Sequence, residues 1–410
     1  MLDIEKIRRD FPMLQGRMMH GQPLVYLDNA ATTFKPNSVI AAVNHYYMDI
    51  TSNYDRGDYE MAVEVDRDFA HCRHTVATLL NCQDREVVFT SGASAALNMV
   101  AYGYGLSHLK TGDVILSTES EHASDILPWF KVCEKTGAKV EFIPLAADGR
   151  ITIDSFRSVL TDRVKVVAVA AVSNVLGYQA PVKEICRLAH QQGAVVIVDG
   201  AQSIPHQRTD VQDMDCDFLG FSAHKCCGPT GVGVLYGKYS LLEQTEVFSL
   251  GGGSNARFDK SGCVTLRDVP YRFETGTPNI EGVMGMDAGL QYIMAIGLDE
   301  IKHHEDQLRG YMIQKMSGLD NVVIYNPGCD TGIVTFNVKG VFAQDAASYL
   351  DHNGIAVRSG LHCAKMLTAF LGTAATIRAS LYFYNTTHDI DRLVEVLGRT
   401  TLQNAVDIMI

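Results

Sequence analysis

Ser222-Ala223-His224-Lys225 runs directly into Gly228-Pro229-Thr230-Gly231. A lysine at a strand end, beside small residues and a Gly-rich turn, reaches a pocket without steric conflict. A lysine used for Schiff-base chemistry needs that access, and surroundings that deprotonate its amine. A solvated lysine entering a turn is the plainer alternative, and Asp199 tells against it. Asp199 ends AVVIVDG, which reads as a central buried strand. An acid there either caps a turn or meets a cation at the sheet edge, and a protonated pyridine ring is such a cation. Asp-Gly after a strand is ordinary turn chemistry; Asp199 followed by S-x-H-K is far more specific.

Other strand ends carry groups that suit the same pocket. Ser91-Gly92-Ala93-Ser94 joins a strand to a helix, so the N–H groups around Ala93 and Ser94 face an anion such as phosphate. Ser222 and His224 add side-chain donors. His122 can stack on a flat ring, although a lone His is more often a structural hydrogen bonder. Asn174 and Gln202 can bond a ring hydroxyl, or simply cap turns. Cys363 follows His362 and stands near Arg358, neighbours that favour the nucleophilic thiolate; a buried loop thiol is the alternative. Arg378 heads an apolar strand and calls for an anion, either a substrate carboxylate or an internal acid.

These residues need a scaffold that brings strand ends together. Short Val/Ile-rich runs alternate with helical stretches from about 85 to 235: EVVFTSG, helix 93–108, DVILSTE, helix 124–136, KVEFIPL, VKVVAVAAVSN, helix 181–192, AVVIVDG, CDFLGFSAHK and GVGVLYG. The pattern predicts an α/β fold with a mainly parallel sheet covered by helices, and ligands at the C-terminal strand ends. Helices near 284–296, 298–316, 343–353 and 386–403 predict a smaller α+β unit. The expected division is an N-terminal segment (1–20) packing on either domain, a large domain (21–284) and a small domain (285–410).

Composition narrows the function classes. The 410 residues are 47% hydrophobic, with a net charge of −12 at pH 7. An acidic chain of this kind is not expected to bind nucleic acid, and no apolar run long enough to span a membrane is present. Without a signal-like N-terminus, a cytoplasmic location is expected. The ten cysteines include no C-x-x-C pair and read as reduced thiols. His71-Cys72-Arg73-His74 reads as a solvated or domain-edge helix face and His303-His304-Glu305-Asp306 as an exposed helix, neither with metal-ligand spacing.

Together these motifs resemble the class V aminotransferase-like enzymes of PLP-dependent fold type I, and more narrowly the SUF-type cysteine desulfurases and selenocysteine lyases. The resemblance rests on YLDNAATT (26–33), FTSGASAALN (89–98), ESEHAS (119–124), SNVLG (173–177), VDGAQS (198–203), FSAHKCCGPTGVGVLYG (221–237), RFETGTPN (272–279), RSGLHCA (358–364) and RASLYFYN (378–385). It implies pyridoxal 5'-phosphate as cofactor, bound by Lys225, with Asp199 on the ring nitrogen and His122 stacked on the ring. Asn174 and Gln202 would contact the ring's oxygen side, and Ser94, Ser222 and His224 the phosphate. Thr277 would reach the phosphate of a partner subunit, in a homodimer with shared sites. Arg378, with Arg358 near it, would hold the substrate carboxylate, and Cys363 would take the substrate sulfur. The implied reaction is desulfuration of L-cysteine to L-alanine, with the persulfide passed to an acceptor or scaffold protein for iron–sulfur assembly. A selenocysteine lyase or another β-eliminating lyase is the alternative, and a weakly active paralogue with a binding or regulatory role a second. Departures from the family's usual residues occur at Ala93-Ser94-Ala95, Leu361 and Asp55.

Overall fold

The computed structural model describes residues 2–408. Seven runs predicted as strands form one sheet: β1 (Val87–Thr90), β2 (Val114–Ser117), β3 (Lys139–Phe142), β4 (Val164–Ala170), β5 (Val195–Asp199), β6 (Phe218–Ser222) and β7 (Gly233–Gly237). Their order across the sheet is β1-β7-β6-β5-β4-β2-β3. Strands β2 to β6 pair parallel, whereas β7 runs antiparallel to both of its neighbours. The central strands are buried on both faces, which is why they read as continuous Val/Ile rather than alternating runs.

Helices α1 (Ala93–Val100), α2 (Ala123–Thr136) and α3 (Val182–Gln191) fall where the periodicity places them. The stretch expected as one helix over 93–108 passes through a wider π-turn at Ala101–Gly105. Gly103 lies within that turn, where a Cβ would stand 2.4 Å from the Glu246 carbonyl oxygen. Because β1, β2, β4, β5 and β6 point the same way, the residues following them meet along one edge. The antiparallel β7 brings Gly233 against Gly92, where a Cβ would lie 2.6 Å from the Gly92 Cα.

The C-terminal part begins with α4 (Ile280–Ile296) and α5 (Leu298–Ser317). A second, antiparallel sheet follows, from β8 (Val322–Ile324), β9 (Ile333–Val338), β10 (Arg358–Gly360) and β11 (Thr376–Ser380), in the order β8-β9-β11-β10. The helix expected over 386–403 is two helices, Thr387–Arg399 and Leu402–Asp407, and Thr401 caps the second. Apolar packing covers both faces of the large sheet, and a second core packs β9 and β11 against Leu308, Met312 and Leu393. Val25 and Leu27 belong to the second core, and Val25–Tyr26 pairs with Ile355–Ala356. The N-terminal Phe11 packs on Tyr292, Phe383 and Tyr384.

Two clusters, one expected on a solvated or domain-edge helix face and the other on an exposed helix, each bury a charged residue. Arg73 is buried and pairs with Glu274 at 2.8 Å, between the exposed His71 and His74. Glu305 is buried and meets His206 at 2.9 Å. In each, a long-range partner draws one charged residue inward, which local patterning cannot show. All ten cysteines are free thiols, and among the described residues no helix is long and apolar enough to cross a membrane.

Candidate functional site

A cavity of about 160 Å³ opens at the shared strand edge. Ala93, Ser94, His122, Asn174, Asp199, Gln202, Ser222, His224, Lys225, Arg358 and Arg378 all line it. Two predicted residues stand outside: Cys363 is exposed at the rim, and Thr277 is exposed on a separate turn beside Asn53.

Lys225 closes the turn after β6. Burial pushes its amine down to about 8; Asp199 opposes that shift, while Arg378 and Arg358 add to it. The turn is gripped from behind. The His224 carbonyl accepts from the Thr33 amide at 3.0 Å, from the Thr32 and Thr33 hydroxyls at 3.1 Å and from Lys35 Nζ at 3.2 Å. Burial also pushes the His224 imidazole down to about 4, so it stands neutral.

Asp199 is buried at the end of β5, where one carboxylate oxygen accepts from the Ala201 amide at 2.9 Å. His122 caps α2, its Nδ1 accepting from the Ser124 amide at 3.1 Å, which leaves Nε2 as the protonated nitrogen of a neutral ring. Burial lowers its proton affinity. Ser222 Oγ accepts from the Ala93 amide at 2.8 Å, and the Ser94 and Ser124 hydroxyls lie 2.6 Å apart. Gln202 Nε2 donates to the Ala30 carbonyl at 2.8 Å.

Arg378 and Arg358 are direct cross-strand partners in β11 and β10. Two guanidinium groups so placed repel unless an anion lies between them. Asp28 supplies part of that charge, accepting from Arg378 Nη2 at 3.1 Å, while Nη1 donates to the Asn174 carbonyl at 2.8 Å. The internal acid is therefore present and engages one nitrogen, while the buried Nε has no partner among the described residues.

The cysteine segment is short and held at several points. The Ala123 amide donates to the Cys363 carbonyl at 2.7 Å, Asn174 Nδ2 to the His362 carbonyl at 2.8 Å, and the Ala364 amide to the Leu361 carbonyl at 2.9 Å. His362 and Cys363 both take left-handed backbone angles, φ 48° and 60°. Such angles are uncommon away from glycine and recur at functional sites. Arg358 Nη2 stands 3.7 Å from Cys363 Sγ. His362, expected to assist the thiol, turns inward to Thr376 at 2.9 Å and is pushed down to about 3 by burial and the two arginines. The cation beside the sulfur is therefore Arg358 alone of the two.

Sequence reasoning missed Asp28, Ala30, Ala31 and Ser124. The alanines carry no chemistry of their own and act by leaving space. Asp28 meets an arginine 350 residues away, so no local spacing could reveal it.

The geometry leaves room and donors for a flat, anionic, ring-bearing group. Gln202 Oε1 and Arg378 Nε are buried without a protein partner, and an acid, an amine and a ring lie at separate strand ends. The aminotransferase class-V family model matches residues 25–393. A cysteine desulfurase of Enterobacter sp. is 41% identical over 397 residues, 97% of this chain and 98% of that one. The chain belongs to the class-V aminotransferase family, among its cysteine desulfurases. The cysteine desulfurase CsdA of Escherichia coli, solved as its S-sulfonic acid form, superposes with a TM-score of 0.91 at 34% identity, covering 100% of this chain and 99% of that one. A C-DES mutant with glycine covalently linked to its PLP cofactor shares the fold, with a TM-score of 0.83 at 21% identity over 96% of this chain and 99% of that one. Within the cysteine desulfurases, this chain's pinned Cys363 segment and paired arginines become the features to explain.

Proposed function

We propose that the chain removes sulfur from L-cysteine with pyridoxal 5'-phosphate as cofactor, releasing L-alanine and holding the sulfur as a persulfide on Cys363. One observation carries this reading: Lys225 and Asp199 share a cavity with two arginines, and Arg358 also reaches the thiol at the rim. Lys225 would hold the cofactor covalently, and Asp199 would keep its ring nitrogen protonated. His122 would cover the ring, Gln202 and Asn174 its oxygen side, and Ser94, Ser222, His224 and the N–H groups near Ala93 the phosphate. When bound, the cofactor supplies an electron sink for negative charge at the substrate Cα.

The chain's own residues do the rest. Arg378 and Arg358 would take the substrate carboxylate between them, which anchors the substrate in the cavity that Lys225 lines. The Lys225 amine, pushed down to about 8, offers a free Nζ to accept a proton in a far larger fraction than an exposed lysine does. Cys363 thiolate attacks the substrate sulfur: a sulfur–sulfur bond forms, and the carbon–sulfur bond breaks with its electron pair going to carbon. Protonation at that carbon completes the alanine skeleton. Incubation with L-cysteine, measuring alanine and Cys363-bound persulfide together, tests the scheme. If alanine release is unchanged in Cys363→Ser, a lyase that does not need the thiol, including a selenocysteine lyase, is the better reading.

The exposed position of Cys363 suits delivery to an acceptor protein, and iron–sulfur assembly is the proposed use. Thr277 suits a partner's cofactor site better than its own. Tyr47 and Met48, on a helix beside α4, and Phe248, beside the Thr275–Pro278 turn, are exposed apolar groups that a homodimer would cover.

A further inference from the structure

Behind the cavity wall lie two acids that the scheme above leaves unused. Glu121 follows β2, and Asp125 stands in the first turn of α2, with His122 between them. Both are buried, Glu121 at 2% and Asp125 at 0% exposure. Glu121 Oε1 accepts from the Thr118 hydroxyl at 2.6 Å and Oε2 from the Ala170 amide at 2.8 Å. Ala170 is the register partner of Asp199, so Glu121 grips the strand end beside the proposed ring-binding acid. Neither Asp125 oxygen has an N–H or O–H donor; what lies against them is the Glu121 carboxyl.

Two carboxylates cannot share a buried site in ionised form, so a proton must stand between them. The charged group felt by both acids is Asp199, which adds repulsion. Lys225, Arg358 and Arg378 act on His122, on the cavity side. Burial pushes Glu121 up to about 7 and Asp125 well above the carboxylate range.

We propose that Glu121 and Asp125 form a proton-sharing carboxyl pair that sets the negative charge standing behind Asp199. The coupling rests on the reading of Asp199 as the ring-nitrogen partner. Below neutrality the pair is uncharged. As pH rises through neutrality, Glu121 loses its proton while Asp125 keeps its own. One negative charge then stands beside Asp199 and strengthens its hold on a ring proton. The two acids are positioning residues and touch no reacting atom.

Two conservative variants separate the states. Glu121→Gln fixes the pair neutral, with Asp125 still protonated. Asp125→Asn removes the second titrating acid and leaves Glu121, still buried, to lose its proton alone as pH rises through neutrality. In cofactor-free protein at about pH 9, the infrared band of a protonated carboxylic acid should persist in Glu121→Gln and vanish in Asp125→Asn. Its absence from the wild type overturns the pair. A buried acid with a raised folded pKa binds its proton more tightly folded than unfolded. Stability then falls as pH rises from the ordinary carboxylate range toward the folded value. The Tm of cofactor-free Asp125→Asn should therefore gain on wild type between about pH 5 and pH 8, and a constant offset argues the pair away.

In the loaded protein, the pH profile of the cofactor's visible band should match Glu121→Gln on the acid side of neutrality and Asp125→Asn on the alkaline side. Three superimposed profiles overturn the coupling to Asp199. If Lys225→Ala leaves that band unaltered, the cofactor assignment and the coupling fall together. The infrared and Tm results then decide the pair.

Discussion

Lys225 is a lysine whose environment works against its charge. Burial and two arginines lower its proton affinity more than Asp199 raises it, and its amine sits at about 8. The free amine therefore accumulates as pH rises through that value, well before exposed lysines lose their protons. Amine-directed labelling of cofactor-free protein, read by peptide mass spectrometry, should show Lys225 half-reactive near 8, with surface lysines following roughly two units higher. At the rim, Arg358 is the cation beside Cys363 Sγ, and His362 is not. Arg358→Gln, which removes the cation 3.7 Å from Sγ, should slow alkylation of Cys363 at neutral pH. His362→Gln should leave the rate near that of wild type, and the opposite ranking would reassign the thiol's activator. Arg378→Lys should raise KM for L-cysteine far more than it lowers kcat, because a lysine cannot reproduce the bidentate fork.

The elements around the site are tied to one another by buried charge. Arg73, on the helix Glu60–Leu80, donates to both Glu274 oxygens at 2.9 and 2.8 Å and to the Val87 carbonyl, and it stacks 4.5 Å over Phe89. Glu274 also accepts from the Phe89 amide at 2.8 Å. This one pair joins a helix, the start of β1 and the turn that carries Thr277. Glu274→Gln leaves the guanidinium buried without its counter-charge, a change that costs about 3–5 kcal/mol. Denaturant unfolding should show that loss as a lower midpoint with an unchanged slope. That residues 71–74 lie on a helix was legible in the sequence, but the buried arginine among them was not, because its partner lies 201 residues away. The cysteine segment shows the same limit. RSGLHCA named the thiol and its neighbours, yet only the packing of β10 against β11 shows that His362 turns to Thr376 and Arg358 to the cavity and the thiol.

At the scale of the whole molecule, two cores meet along the edge where the strands of the large sheet end. The cavity draws residues from both, with Lys225 and Asp199 from the large sheet and Arg358 and Arg378 from the small one. Thr277 lies outside it on an exposed turn. Light scattering should give a mass twice the 45.0 kDa of one chain, and a stable monomer would leave Thr277 without a cofactor to reach. The sequence by itself determined the strand runs, their burial on both faces, the edge where chemistry collects, and the lysine and acid that mark it. Those features depend on near neighbours in the chain: apolar periodicity, turn residues and short motifs. Tertiary structure alone decided which charges meet, placing Asp28 on Arg378, Arg358 on Cys363, Glu274 on Arg73 and Asp125 against Glu121 behind Asp199. Lys225 was legible as a lysine at a strand end. That its amine sits near 8 follows from desolvation and from arginines more than a hundred residues further along the chain. Such electrostatic effects depend on distance in space, which the sequence does not record.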